Sequence, residues 1–286
     1  MKLHKLDRSS LETTSFGVRK NSYPNFLKMW HHHPELELVY VLKSTGTRFI
    51  GDSIENFQKG DLFLLGKNLP HMWLNDEAYF KESSKLKAEA IAIHFQHHFL
   101  GDVFFNTPEM KHIEHLLTQS KQGIHFVNPS PSVVKQIKAL VIKKGFEKVH
   151  AFISILNQLA NHKQATLIAS KSYVQSFNVG ENKSLDKIYE YLFQNFNQTI
   201  KLNDVAALAN MNPSAFSRYF KRINRKTLTR YVNEIRIGYA CKKIIESKSN
   251  ITEICYECGY NSVSNFNKQF RAITQLSPSE YAKKHE

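Results

Sequence analysis

Five ionisable side chains in the first quarter of the chain have the types and spacing of a ligand-binding face. His31, His33, Glu35 and Glu37 occupy every second position, and His71 follows later. Alternate side chains of a β-strand point to the same side, so we expect the first four to converge. Burying such groups together costs free energy unless they meet a ligand, a metal or each other. These five residues are therefore the candidate effector-binding residues.

The three cysteines of the chain suggest a second kind of chemistry, and their spacing argues against it. Cys255 and Cys258 form a single CxxC pair, whereas a zinc site would need further ligands at matching spacing. In the C-terminal repeat described below, the two cysteines align with Ala206 and Ala209, which are small residues of the kind that pack inside a helical unit. We therefore expect buried, reduced thiols.

A repeat near the C-terminus is the strongest pattern in the sequence. Segments 216–223 and 266–273 share two phenylalanines, a cation and an isoleucine at the same offsets, and a tyrosine follows each segment at an equal distance. Each segment has an apolar side and a basic or amide-rich side. Two such helices are what a tandem helix-turn-helix domain needs in order to bind DNA.

Turn and cap residues predict where each unit of the repeat begins. In the first unit, a support helix at 202–209 is followed by Asn210, which tolerates a left-handed turn. Pro213 then suits the first position of the second helix, which we call the reader helix. In the second unit, a support helix at 251–258 is followed by a turn at Gly259 and by the second reader helix.

One long helix is predicted to hold the two readers apart. Segment 227–247 contains no proline and would span roughly 30 Å as a helix. Successive major grooves on one face of B-DNA lie about 34 Å apart. The two readers would therefore enter adjacent grooves.

Polar residues of the two readers are the candidate DNA contacts. Arginine pairs with guanine and asparagine with adenine, whereas cations at the far ends of the helices suit phosphates. The candidates for base contacts are Ser214, Ser217 and Arg218 in the first reader, and Ser262, Ser264, Asn265, Asn267 and Lys268 in the second. The candidates for phosphate contacts are Lys221, Arg222 and Arg271.

The charge of the chain favours a polyanionic partner. A net charge of +14 and a pI near 9.5 suit either nucleic acid or an anionic membrane surface. Between Pro213 and Lys243, nine cations face the single acid Glu234, so basic residues are concentrated on the repeat. We therefore expect double-stranded DNA as the partner, and no membrane.

Composition limits the remaining classes of protein. A hydrophobic fraction of 42% with 22% charged residues is ordinary for a soluble globular chain and excludes a disordered one. No apolar run approaches the roughly 18 residues that a membrane span needs, so we expect a cytoplasmic protein. The sequence contains no phosphate-binding loop, no nucleophile paired with a base and no kinase-like set. We therefore expect neither an enzyme nor a cofactor.

The C-terminal part of the chain resembles the AraC/XylS family of bacterial transcription regulators. The matching residues are Gly259, Tyr260, Phe266, Phe270, Ser277, Pro278 and Tyr281. The resemblance implies a sequence-specific regulator that binds a promoter, responds to a small-molecule effector and forms a homodimer, with RNA polymerase as a further partner. The chain departs from the family at Arg225 and Gln275, where glycine is usual, and at Ser214, where some members carry a bulkier residue.

Short β-prone runs across residues 25–100 predict a barrel or sandwich, and this part resembles the cupin fold. In cupin enzymes a His-x-His pair, a glutamate four residues on and a later histidine bind a metal. His31, His33, Glu37 and His71 match that pattern. In AraC-type regulators such a barrel more often holds a small organic effector or nothing. An organic effector, a metal and a structural cluster all remain open at this point.

The expected fold class is α+β, in three parts. Residues 1–108 form a cupin-like β-barrel that senses an effector, and residues 109–178 form connecting helices that serve dimerisation. Residues 181–286 form an all-α tandem helix-turn-helix domain, separated by the polar stretch 176–184. The favoured function is a DNA-binding regulator controlled by a small molecule. Its rival is a metal-dependent cupin enzyme that carries a DNA-binding domain.

Overall fold

The computed structural model describes residues 4–6, 14–27, 29–81, 83–176, 183–224, 226–246 and 250–285. The strands are β1 His4–Lys5, β2 Phe16–Tyr23, β3 His31–His32, β4 Leu36–Lys43, β5 Gly46–Ile50, β6 Ser53–Phe57, β7 Leu62–Leu65, β8 His71–Asn75, β9 Ala88–Phe95, β10 Ile124–Phe126 and β11 Ala165–Leu167. The α-helices are α1 Lys111–Gln119, α2 Pro131–Leu140, α3 Gly145–Ala160, α4 Lys171–Ser176, α5 Lys183–Asn195, α6 Leu202–Leu208, α7 Pro213–Asn224, α8 Leu228–Glu246, α9 Ile251–Glu257, α10 Val263–Thr274 and α11 Pro278–His285. The expected boundary stretch, 176–184, lies mostly outside the described residues, and so does Arg225.

The strands form two sheets whose inner faces meet. One sheet has the order β1-β3-β8-β5-β6, and the other has the order β11-β10-β7-β4-β9-β2. The ring of Phe63 in the six-stranded sheet lies 5.1 Å from the ring of Trp73 in the five-stranded sheet, so both rings share one interior. Within the described residues the two sheets are not joined into a closed barrel. The expectation of a closed cupin-like barrel is therefore not confirmed.

The chain crosses from one sheet to the other at residues 33–35. His31 pairs with the five-stranded sheet, and Leu36 begins the pairing with the six-stranded sheet. The expectation of one continuous strand through this segment is wrong. Pro34 explains the break, because proline has no backbone N–H to donate to a strand ladder.

The outer face of the six-stranded sheet packs on the connecting helices. Alternation along β4 directs Leu36, Leu38 and Tyr40 away from the interior, into a core shared with α1, α2 and α3. These helices confirm the helical spacing seen between residues 109 and 170. Strands β10 and β11 come from the same part of the chain and extend the sheet, which the sequence did not predict.

The C-terminal part consists of two helix-turn-helix units. The turn between α6 and α7 contains Asn210 with φ of +53°, and the turn between α9 and α10 contains Gly259 with φ of +81°. The side chain of Asn212 accepts a hydrogen bond from the N–H of Ala215 at 2.8 Å and so caps α7. Both turns lie where the sequence predicts them.

In the described part of the chain, no helix is long and apolar enough to cross a membrane.

The two units are packed in the same way. In the first unit the rings of Phe220 and Tyr231 meet edge to face at 5.6 Å, and in the second the rings of Phe270 and Tyr281 do so at 5.5 Å. The 19 residues of α8 connect the units and span about 28 Å. The structure therefore confirms the sequence repeat at the level of side-chain packing.

The outer face of the five-stranded sheet lies against the helical domain. A side chain added at Gly238 of α8 would place its Cβ 3.6 Å from Ile54 and 3.9 Å from Thr47, so helix and sheet approach closely there. Asn56 of β6 donates a hydrogen bond to the hydroxyl of Tyr281 at 3.2 Å. The order of layers is therefore connecting helices, six-stranded sheet, five-stranded sheet and helical domain.

Gln275 ends α10 in the left-handed region with φ of +65°. This conformation costs a residue with a Cβ about 1–2 kcal/mol, and the greater freedom of glycine in the unfolded chain offsets about 0.4–1 kcal/mol. We expect Gln275→Gly to raise the free energy of unfolding by about 0.5–1 kcal/mol, measured by urea titration. As a control, Ala272→Gly in the last turn of the same helix should lower it by a similar amount. A Gln275→Gly chain less stable than the parent would contradict this account.

Candidate DNA interface and candidate effector site

The first reader helix, α7, buries one side and exposes the other. Phe216 and Phe220 are fully buried, as the sequence predicts. The candidate contact residues of this helix are all exposed; they are Ser214, Ser217, Arg218, Lys221 and Arg222. Their spacing of i, i+3, i+4, i+7 and i+8 places them on one face of the helix. The structure therefore brings these five candidates onto a single accessible surface.

The second reader helix, α10, repeats this arrangement. Its candidate contact residues are also exposed; they are Ser262, Ser264, Asn265, Asn267, Lys268 and Arg271. Ser262 caps the helix, because its Oγ accepts the N–H of Asn265 at 3.5 Å. A guanidinium nitrogen of Arg271 lies 3.2 Å from Glu280 Oε2 on α11. Arg271 therefore has an ion-pair partner within the protein as well as access to the surface.

The basic run between Pro213 and Lys243 divides into exposed cations on the first reader and cations after it that pair within the protein. Lys226 and Arg230 both pair with Glu234, at 2.7 and 3.1 Å. Arg236 donates to the carbonyl oxygens of Phe196 at 2.6 Å and Gln198 at 2.8 Å. Lys243 pairs with Glu257 at 3.3 Å. Part of the basic run therefore holds the helical domain together, and the sequence pattern alone did not distinguish these cations from those on the reader.

The candidate effector residues meet in the interior between the two sheets. His31 on β3 and His71 on β8 are Cα partners in the five-stranded sheet. Glu37 on β4 and His94 on β9 are Cα partners in the six-stranded sheet. His33 lies on the segment that joins the sheets. The residues therefore converge from two sheets rather than from one strand face as the sequence analysis expects.

Glu37 occupies the centre of this cluster. Its Oε2 lies 3.1 Å from Nε2 of His71 and 3.3 Å from Nε2 of His33, and its Oε1 lies 3.3 Å from Nε2 of His94. Burial raises the pKa of Glu37, but the charge of His94 and the close polar contacts of the three imidazoles outweigh burial and hold this pKa well below its usual range. Glu37 is therefore an ionised carboxylate in a buried position.

Backbone carbonyls fix the orientation of three imidazole rings. Nδ1 of His31, His71 and His33 lies 2.7, 2.8 and 3.1 Å from the carbonyl oxygens of Met29, Leu69 and Glu35, respectively. A neutral ring that donates its Nδ1–H to a carbonyl keeps a lone pair on Nε2, whereas a protonated ring donates from both nitrogens. Burial, with a smaller effect of His71, lowers the pKa of His31 to about 2, so this ring is neutral.

Several polar atoms of the cluster lack a hydrogen-bond partner although they are buried. They are Nε2 of His71 and Nε2 of His94, which contact the Glu37 carboxylate without hydrogen-bond geometry, and Oε2 of Glu35. The last of these lies 3.5 Å from Nδ1 of His33, in an ion-pair contact without hydrogen-bond geometry. An unsatisfied buried polar group typically costs about 1–3 kcal/mol. A bound ligand or metal would supply the missing partners.

A cavity of 520 Å³ opens beside this cluster. His31, Glu37 and His94 line it together with residues of β2, β4, β8, β9 and the loop after β2, which include Arg19, Asn21, Tyr23, Phe26, Val39, Trp73, Ala90 and Ala92. This volume lies in the range of small-molecule sites, which combine apolar walls with a few polar groups. We call the cavity together with His31, His33, Glu35, Glu37, His71 and His94 the histidine site.

His94 is the residue of this site that the candidate set lacked. Its signal in the sequence is the alternation of Ala90, Ala92 and His94 on one face of β9, with small side chains that leave room beside the imidazole. Trp73 lines the cavity, whereas Trp30 belongs to a different cluster, together with Phe49.

The cysteines are free and buried, as the sequence predicts. Burial raises the pKa of the Cys241 thiol to about 12 and also raises the pKa values of Cys255 and Cys258. Among the described residues, the two groups able to hold a metal ion are His31, His33 and His71, and His33, Glu37 and His94, and neither group contains a cysteine.

Comparisons with known proteins found similarity to helix-turn-helix proteins. Residues 205–284, which include both reader helices, match a family model described as a helix-turn-helix domain. The chain is 25% identical over 266 residues to the uncharacterized HTH-type transcriptional regulator YdeC of Bacillus subtilis, across 88% of this chain and 85% of that protein. It is 21% identical over 259 residues to the HTH-type transcriptional activator RhaS of an Enterobacter species, across 87% of this chain and 86% of that protein. The solved structure of ToxT from Vibrio cholerae shares 14% identity across 94% of this chain and 98% of that chain, with a TM-score of 0.39.

The division of the basic run predicts different effects for two arginines. Arg236→Ala leaves two carbonyl oxygens without their charged donor, so we expect the free energy of unfolding to fall by about 1.5–3 kcal/mol. Arg222→Ala removes an exposed side chain, and we expect a change within about 0.5 kcal/mol. Urea titrations of both chains measure the difference. Equal effects would show that Arg236 does not hold α8 to the segment after α5.

Proposed function

We propose that the chain is a DNA-binding transcription regulator of the AraC helix-turn-helix type and that the histidine site senses a small molecule that controls this binding. The observation that carries the proposal is the buried, incompletely satisfied cluster around Glu37 beside a cavity of 520 Å³. A core that served stability alone would not favour buried imidazole nitrogens that make no hydrogen bond.

The repeat supports equivalent roles for the two readers. Arg218 and Lys268 hold the same position in their helices, and so do Lys221 and Arg271. Arg218 and Lys268 lie in the middle of the exposed faces, so we assign them to base edges in the major groove. Lys221, Arg222 and Arg271 lie nearer the ends, so we assign them to phosphates. The remaining candidates, Ser214, Ser217, Ser262, Ser264, Asn265 and Asn267, supply shorter polar contacts to bases.

The polar end of the cavity suits an effector that carries hydrogen-bonding groups. An ionised Glu37 and a neutral His31 both line the cavity, so one end offers an acceptor and an adaptable imidazole. Val39, Phe26 and Trp73 give the rest of the cavity an apolar wall. We therefore propose a small, partly polar organic effector as the occupant.

A transition metal is the alternative occupant, and the residues present fit one. Nε2 atoms of His33 and His71 face the Glu37 carboxylate, and carbonyl oxygens hold their Nδ1 atoms, which is the usual support of metal-bound histidines. His31, His33 and His71 have ligand atoms within 4.8 Å of one another. A bound divalent ion would supply a Lewis acid for an oxygen or nitrogen of the effector.

The roles of the three parts of the chain belong to the same proposal. We propose that residues 1–108 sense the effector, that residues 109–178 connect and dimerise, and that residues 181–286 bind DNA. Ile142, in the turn between α2 and α3, and Phe146, in the first turn of α3, are 83% and 79% exposed and would suit contacts within a homodimer. The regulator would act in the cytoplasm, with RNA polymerase as a further partner, and would not be an enzyme.

Two variants of the first reader separate base contacts from phosphate contacts. Arg218→Ala should weaken binding by about 1–3 kcal/mol and relax the preference at one base pair, whereas Lys221→Ala should weaken all sequences alike. Selection from random duplex DNA followed by affinity measurements on the selected duplex gives both results. If Arg218→Ala selected the same motif as the parent chain, the base assignment would be wrong.

A double variant tests the histidine site. Glu37→Ala with His71→Ala removes the central carboxylate and one imidazole, so we expect the response to effectors in a promoter assay to be lost. That response typically corresponds to about 1–3 kcal/mol of coupling. Elemental analysis of the parent chain decides the occupant, since about one transition metal per chain would favour the metal.

The matched control for this test is His98→Ala, which removes an exposed histidine outside the cavity and should leave the response unchanged. Circular dichroism of each variant checks the fold. A double variant that is folded and responds like the parent would refute the sensor role and leave the two sheets as a support for the helical domain. Turnover of a substrate by the metal-containing chain would instead favour the rival function, a metal-dependent enzyme that carries a DNA-binding domain.

A further inference from the structure

The five-stranded sheet carries the histidine site on one face and the helical domain on the other. His31 and His71 are Cα partners on the inner face. On β8, Met72 alternates to the outer face, where it is the Cα partner of Phe49 on β5, and Trp30 directly precedes β3. Trp30, Phe49 and Met72 form one buried cluster. A single layer of backbone therefore separates the histidine site from this cluster.

Phe193 of α5 packs on the cluster from the helical domain. Its ring centroid lies 4.9 Å from that of Phe49, edge to face, and 5.8 Å from that of Trp30. Trp30 is fully buried. We call Trp30, Phe49, Met72 and Phe193 the aromatic contact. It joins the residues directly behind the histidine site to the first helix of the DNA-binding domain.

The same helix holds the end of the first reader. Tyr189 lies four residues before Phe193, and therefore on the same side of α5. Its hydroxyl donates a hydrogen bond to Oδ1 of Asn224, the last residue of α7, at 3.0 Å. Its ring lies 5.7 Å from that of Tyr231 on α8. A displacement of α5 would therefore reach both the first reader and the long helix that spaces the two readers.

We propose that occupancy of the histidine site is communicated to the first reader through the aromatic contact, an inference that rests on the proposed sensor function. A ligand that repositions His31 or His71 also moves the adjacent residues on the outer face, because neighbours in a strand share one backbone. Close-packed interfaces change between discrete packings rather than deform gradually, so a small shift at the site is passed to α5.

A double-mutant cycle in the full-length chain tests this proposal. Glu37→Gln changes the charge at the centre of the site while nearly preserving its shape. Because the effector is unidentified, this substitution serves as the perturbation of the histidine site. Phe193→Leu keeps an apolar side chain but removes the ring. The probe is a duplex selected from random DNA by the parent chain, and fluorescence anisotropy gives the dissociation constants. We expect Glu37→Gln to change the dissociation constant at least about fivefold in the parent and less than about twofold in the Phe193→Leu chain.

Phe196→Leu is the matched control. The ring of Phe196 packs on Tyr239 of α8 at 5.3 Å, inside the helical domain, so the response to Glu37→Gln should persist in this chain. If Phe193→Leu does not fold, Phe193→Met replaces it in the same cycle.

The outcomes that overturn the route alone are distinguishable from the one that also overturns the sensor function. A response that persists in the Phe193→Leu chain would overturn the route through the aromatic contact while the sensor function stands. If Glu37→Gln alone left the dissociation constant for DNA unchanged, both the sensor function and the route would be overturned. A response lost equally in the Phe196→Leu chain would also overturn the route, because the effect would then belong to the helical domain in general.

Discussion

The ionised Glu37 carboxylate between the two sheets constrains much of the N-terminal architecture. A buried charge is costly unless polar partners surround it, and here imidazoles from both sheets and from the segment that joins them contact the carboxylate. The crossing at Pro34 brings His33 into this group, and the pairing of β3 with β8 brings His71. The same cluster that binds the sheets together therefore determines where a cavity can form.

The helical domain was largely predictable from the sequence because its determinants are local. The left-handed turn at Asn210, the cap at Asn212 and the buried pair of Phe216 and Phe220 all follow from residue type and spacing. The repeat predicts the same helix-turn-helix unit a second time, and the packing of Phe270 on Tyr281 confirms this second unit. Local signals of this kind do not depend on where the rest of the chain lies.

The histidine site and the division of the cations depend instead on tertiary contacts. Nothing in the spacing of residues 31–37 shows that the chain changes sheets, and nothing near His94 shows that it faces Glu37. Likewise, Arg222 and Arg236 look alike in the sequence, but only Arg236 meets two backbone carbonyls. Ligand-binding groups could therefore be named from the sequence, whereas their assembly required the fold.

The long helix α8 also determines which changes of sequence the protein can tolerate. Its 19 residues fix the angle between the two readers as well as their separation. Inserting or deleting one residue in a continuous α-helix turns everything beyond it by about 100° and moves it by about 1.5 Å. Such a change would point the second reader away from its groove while leaving each unit intact. Relatives with the same DNA-binding geometry should therefore differ in α8 by substitution and keep its length.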